Sequence, residues 1–234
     1  MSRKNILISA TLTLLSLTAA IIWTLQTGPT AKAMPQCPDS PPIVIDPGHG
    51  GIDGGTNVPG MLEKEVVLDI ALRTKKYLDH YKIPVVLTRD TDTALGGNWD
   101  NGHLRRDLNQ RIRIANHCRA AFVLSLHVNH TRNNSERGMM IFYQPTRPSH
   151  DAAYLFDDIL RRWPLHSRKE APIVRKDFAV LKTKAPAILV ELGFISNDQD
   201  RQLLADDQYR ERVARALSSG GVAIYQKWLK HGSP

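Results

Sequence analysis

Apolar positions along the chain fall into two rhythms that take turns. Ile43-Val44-Ile45 is a short unbroken run of the kind a fully buried strand shows. Val67, Ile70, Ala71, Thr74 and Leu78 then recur at helical spacing, which predicts a helix from Glu63 to about His80. Pro84 to Thr88 (PVVLT) reads as a second strand, and Leu108, Ile112 and Ala115 mark a helix ending near His117. Ala121 to Leu126 (AFVLSL) and Gly138 to Tyr143 (GMMIFY) read as third and fourth strands. Ala153, Phe156, Leu160 and Trp163 form a helical stripe that Pro164 ends. Ala187 to Val190 (AILV) is a further buried strand, and Val213, Leu217, Gly220, Ile224 and Trp228 share one face of a last helix. Strands alternating with helices in this way predict an α/β fold: one domain with a mostly parallel twisted sheet and helices on both faces. Residues 91–107 are the most loop-like internal stretch, rich in Gly, Asn and Asp.

The first residues break this pattern. Ser2-Arg3-Lys4 is a basic start, Ile6 to Trp23 is apolar apart from small hydroxyl residues, and Gly28-Pro29 signals a turn before Ala31-Lys32-Ala33. Such a segment is either a cleaved export signal or a retained membrane tether through residues 5–25. Both readings place the rest of the chain outside the cytoplasm. The expected division is therefore residues 1–33 as signal or anchor, 34–42 as a Pro-rich lead and 43–231 as the working domain.

Loss of residues 1–33 removes Arg3, Lys4 and Lys32 and no acidic residue, so the net charge of +8 becomes +5. That excess suits a polyanionic surface without naming one, and a solvated basic surface explains it equally well. Cys37 and Cys118 are the only cysteines. They form no C-x-x-C pair, which argues against a cysteine metal site. Each lies a few residues before a predicted strand, so in a parallel sheet both fall at one edge, either bridged or as two free thiols.

Functional crevices in open parallel sheets lie beyond the carboxyl ends of the strands. Three segments bring metal-capable residues there: IVI runs into Asp46-Pro47-Gly48-His49-Gly50-Gly51, AFVLSL into His127-Val128-Asn129, and AILV into Glu191. Glu63 opens the helix after the glycine-rich loop. Two imidazoles and one or two carboxylates could meet at that edge, which is the donor set of a catalytic zinc with a spare carboxylate for proton transfer. Taken singly the pieces are ambiguous. The glycine loop could cradle phosphate, His127 could be a hydrogen-bonded core histidine, and Glu191 could cap a sheet edge. The remaining histidines (His80, His103, His117, His130, His150, His166, His231) are expected at the solvated surface, with His130 closest to His127.

VIDPGHGGIDGG, LEKEVVLDIALR, VVLTRDTD, LNQRIRIAN, FVLSLHVN and VELGFISN follow one another in register, and over about residues 43–230 the chain resembles the N-acetylmuramoyl-L-alanine amidase 3 family. The resemblance implies a Zn2+ ion held by His49, Glu63 and His127, with Glu191 as the catalytic carboxylate and Glu65 as a rival to Glu63. It implies peptidoglycan as partner, without nucleic acid, and cleavage of the amide between the lactyl group of N-acetylmuramic acid and L-alanine. The chain looks most like the small single-domain type that trims spore cortex. No plug helix of the kind some division amidases carry is evident between Tyr143 and Phe178. Another zinc hydrolase of wall amides (a deacylase or peptidase) and a non-catalytic wall-binding protein are the alternatives.

Overall fold

A computed structural model describes residues 34–97, 100–165 and 170–232. The expected signal or anchor at residues 1–33, its tether through 5–25 and His166 lie outside these described residues.

Six strands form one sheet: β1 (Ile43–Pro47), β4 (Val85–Leu87), β5 (Phe122–Asn129), β6 (Met140–Tyr143), β7 (Ile173–Val174) and β8 (Ala187–Phe194). Their order is β4-β1-β5-β8-β6-β7. β4, β1, β5 and β8 run parallel, whereas β6 pairs antiparallel with β8 and carries β7 parallel to itself at the edge. A two-residue hairpin, β2 (Asn57–Val58) and β3 (Met61–Leu62), stands apart in the loop after β1.

Five described helices cover the sheet: α1 (Glu63–His80), α2 (His103–His117), α3 (Arg147–Arg161), α4 (Asp198–Ala205) and α5 (Asp207–His231). Alternation along the strands sorts the core into two layers. Ile43, Ile45, Leu124 and Leu126 point to the face covered by α1, α3 and α5, where they meet Val67, Ile70, Phe156, Val213 and Leu217. Val44, Val123, Ala187 and Leu189 point to the other face, against Ile114 and Ala115 of α2 and a short 3-10 turn at Ala179–Leu181. Helices therefore lie on both faces, as the alternation of rhythms predicts. Helix ends follow local chemistry: Thr146 accepts from the Ser149 N–H to start α3, Asn197 from the Gln199 and Asp200 N–H groups to start α4, and left-handed Gly232 ends α5.

The Pro-rich lead is tied down by a disulfide. Cys37 and Cys118 are bridged with a Cα separation of 5.1 Å, on the α2 side of the sheet. Of the two sequence readings, the structure takes the bridge.

Three expectations need correction. α2 starts at His103, inside the stretch predicted as loop, because its buried side is polar: His103, Asp107 and Arg111 face inward, whereas Leu104 is exposed. His103, expected at the surface, is buried where the Gly96 backbone lies against its main chain and ring. α3 stops at Arg161, short of Trp163.

Candidate metal centre

The carboxyl ends of β1 and β5, the loop after β1 and the first turn of α1 converge on one point. His49, Glu63 and His127 each offer a donor atom there, all within 4.8 Å of one another. His49 Nε2 and His127 Nδ1 both face Glu63 Oε1, at 3.2 and 2.9 Å. The Val128 N–H donates to the same oxygen at 2.9 Å, and the Thr56 N–H and hydroxyl donate to Oε2 at 2.7 and 3.1 Å. Glu63 is buried, while Glu65 points to solvent on the opposite side of the helix. Of the two glutamates in LEKE, only Glu63 reaches the cluster.

Each donor is fixed from behind. Asp53 Oδ2 lies 2.8 Å from His49 Nδ1, which leaves Nε2 as the nitrogen directed into the cluster. The backbone at His49 is left-handed (φ 59°), a conformation uncommon outside glycine. It is held by Arg111, whose Nη2 donates to the His49 carbonyl at 2.6 Å. Arg111 is itself anchored by Asp46 and Asp107, at 2.8 and 2.5 Å. Asp46 is buried and also accepts from Thr88 and Ser125. Two glycines permit the close packing. A Cβ on Gly48 would sit 2.3 Å from the His127 ring, and one on Gly55 would sit 2.5 Å from Glu63 Oε2 and 2.7 Å from His49. Asp53, Asp46, Arg111 and Thr56 were not singled out from the sequence. Asp53 could have been, since it lies four residues after His49 in the same glycine-rich loop.

Electrostatics bind the cluster together. Burial opposes charge on His49, but hydrogen bonds to Asp53 and Glu63 outweigh it and raise its pKa to about 10. Burial likewise opposes charge on Glu63, and the two imidazoles overcome it, so its carboxyl is held far below the usual range. Glu191 behaves in the opposite sense. Burial, with Glu63 adding to it against the pull of His127 and His49, raises its pKa to about 7. Its Oε2 is shut off from solvent and has no hydrogen-bond partner among the described residues. His130, exposed, takes no part in the cluster.

Two imidazoles and a carboxylate meeting at one point are the donor set of a site for a divalent metal. Glu191, half-buried beside it with one carboxylate oxygen shut off from solvent and without a partner, is suited to exchange protons and not to seal the fold.

Residues 43–221 match the family model described as N-acetylmuramoyl-L-alanine amidase. The chain is 32% identical over 197 residues to the germination-specific N-acetylmuramoyl-L-alanine amidase of Bacillus subtilis (strain 168), covering 82% of this chain and 81% of that protein. It is also 32% identical to the N-acetylmuramoyl-L-alanine amidase LytC of the same organism, covering 79% of this chain but only 35% of that longer protein. Among solved structures, the CwlD amidase of Clostridioides difficile, determined in complex with the GerS lipoprotein, superposes with a TM-score of 0.74 at 28% identity. That match covers 82% of this chain and 99% of the other. A match over most of the described domain, in sequence and in fold, makes the chain a member of the N-acetylmuramoyl-L-alanine amidase family.

Proposed function

We propose that this chain is a zinc-dependent amidase in which His49, Glu63 and His127 hold the metal and Glu191 moves the proton. Its substrate is the amide joining N-acetylmuramic acid to L-alanine in peptidoglycan. The observation that carries the reading is the His49–Glu63–His127 cluster within 4.8 Å, with the unpartnered Glu191 beside it. Zinc is the metal because a His/His/carboxylate set is its usual catalytic environment.

Bound there, zinc supplies Lewis acidity to a carbonyl oxygen and acidifies water. The chain's own groups do the rest. Asp53 keeps His49 in the tautomer whose Nε2 can ligate, and Thr56 and the Val128 N–H keep Glu63 oriented. Glu191 accepts a proton from the attacking water and passes it to the departing L-alanine nitrogen as the C–N bond breaks. The products are a lactyl carboxylate on the glycan and a free amino group on the stem peptide. Burial raises this carboxyl's hold on a proton in the metal-free protein, and a carboxyl lifted from the usual range is suited to take a proton and return it.

The relatives support an extracytoplasmic setting. Peptidoglycan lies outside the cytoplasm, in keeping with an exported chain carrying residues 1–33 as signal or anchor. No helix among the described residues is long and apolar enough to cross a membrane. Similarity over most of the length of a germination-specific amidase favours spore-cortex peptidoglycan as the material trimmed.

Elemental analysis of the purified protein tests the reading. About one zinc per chain is expected, lost on His127→Ala together with amidase activity. Full zinc retention by that variant would remove His127 from the site.

A further inference from the structure

The segment following β4 contributes no donor to the metal cluster, yet two of its side chains hold the backbone that does. Arg89 is fully buried, and its guanidinium donates only to main-chain carbonyls. Nε reaches Pro47 O at 3.0 Å, and Nη2 reaches Gly48 O at 2.7 Å and Lys64 O at 2.8 Å. Pro47 and Gly48 lead directly into His49, and Lys64 directly follows Glu63. One planar group therefore spans the two segments that carry these donors. No carboxylate forms an ion pair with Arg89 among the described residues, and burial, aided by the nearby Arg111 charge, lowers its pKa to about 10.

A second strap crosses the same gap from the solvent side. Lys64 Nζ donates to Gly51 O at 2.6 Å and pairs with Asp92 Oδ2 at 2.7 Å. The Gly51 N–H closes the link by donating to Asp92 Oδ1 at 2.7 Å. The loop bearing His49 is thus tied to the start of α1 twice, once through Arg89 in the interior and once through Lys64 and Asp92 outside.

A buried guanidinium facing only carbonyls is costly to desolvate, and a packed apolar side chain would fill the space without that cost. A metal site, by contrast, needs its donors held to within about half an ångström, and main-chain hydrogen bonds from a rigid fork do that. We propose that Arg89, backed by the Lys64–Asp92 strap, is a positioning element that fixes the separation of His49 from Glu63 and so sets the metal affinity of the site. The inference rests on the metal reading above. A purely structural role for Arg89 would lower stability without changing how the metal is held.

The test uses the full-length protein as wild type, Arg89→Lys and Asp92→Ala. Zinc affinity is measured by chelator competition, the visible ligand-field spectrum after loading with Co2+, and the melting temperature without metal. Lysine keeps the charge but cannot reach the three carbonyls together. Arg89→Lys should weaken zinc binding by roughly tenfold or more, as loss of groups that orient metal ligands does, and should alter the Co2+ bands. Asp92→Ala, at an exposed pair, should weaken zinc by roughly threefold with little change in metal-free melting. A folded Arg89→Lys protein with wild-type zinc affinity and a wild-type Co2+ spectrum would overturn the proposal. If Arg89→Lys does not fold, Asp92→Ala and Lys64→Met decide by the same readouts: weakened zinc supports the straps and wild-type affinity rejects them. A wild-type protein that binds neither metal would instead refute the metal reading itself.

Discussion

His127 and Glu191 are register partners on the adjacent parallel strands β5 and β8, so their side chains leave the same face of the sheet at the same height. This pairing places Glu191 next to the donor cluster, while Glu63, from α1, takes the hydrogen bond from His127. In the proposed mechanism, ligand and proton-carrier roles thereby fall on different elements. Glu191→Gln, which keeps shape but loses the proton, should retain zinc and fold yet lose amidase turnover by roughly 10²-fold or more. Steady-state rates with zinc content measured on the same sample check this. Near-normal turnover would take the proton role from Glu191.

The same residue gives a pH signature. Burial raises its carboxyl from 4.5 to about 7 in the folded, metal-free protein, so the folded state holds this proton more tightly than the unfolded chain. Stability contributed by the protonated form is therefore complete below about 4.5 and is lost as pH rises through about 7. Glu191→Gln cannot ionise. Relative to wild type, metal-free Glu191→Gln should gain stability across that window, by on the order of 3 kcal/mol. Denaturant melts of both proteins at several pH values measure it, and a difference independent of pH would contradict the burial of this group.

Where apolar residues line the core, strands and helices were legible in the sequence. Glu63 to His80 is a helix from end to end as its spacing predicts, and the runs at Ile43, Val85, Phe122, Met140 and Ala187 are all strands. His49, Glu63 and His127, placed at one sheet edge by the strand pattern, have donor atoms within 4.8 Å of one another. Periodicity fails where the buried face is polar. α2 turns Asp107 and Arg111 inward to hold the His49 loop and leaves Leu104 outside, so a rule of apolar residues inside locates its start too late. β7 is two exposed residues with no period to read. The antiparallel direction of β6 is set by pairing with β8, which local sequence does not encode.

The bridge between Cys37 and Cys118 closes a separation of 81 residues away from the donor cluster. Chain-entropy arguments assign a loop of that size about 4–5 kcal/mol of stabilisation, reduced by any strain in the fold. Cys118→Ser should lower the melting temperature clearly while leaving kcat of the folded protein close to wild type. Titration of the denatured, unreduced wild type should find no free thiol. Two titratable thiols would show that the bridge does not form.

Gly48 is the point where the backbone lies flat against the His127 ring. A Cβ there would stand 2.3 Å from the imidazole, closer than any real contact, so Gly48→Ala must move one donor away from the others. Zinc affinity should fall by roughly tenfold or more, with a smaller loss of stability than core truncations of about 2–5 kcal/mol cause. Chelator competition and thermal melts of the same preparation separate the two effects. An alanine variant with wild-type zinc affinity would mean that the ring does not occupy this position when metal is bound.

Mass analysis of digests of purified peptidoglycan reads directly which bond the protein cuts. Incubation with the zinc-loaded protein should release intact stem peptides with a free L-alanine amino terminus and leave glycan strands bearing lactyl carboxylates. Metal-stripped protein should give neither, and added zinc should restore both. Stem peptides shortened from within, deacetylated sugars, or muropeptides left whole by the zinc-loaded protein would contradict the proposed cleavage.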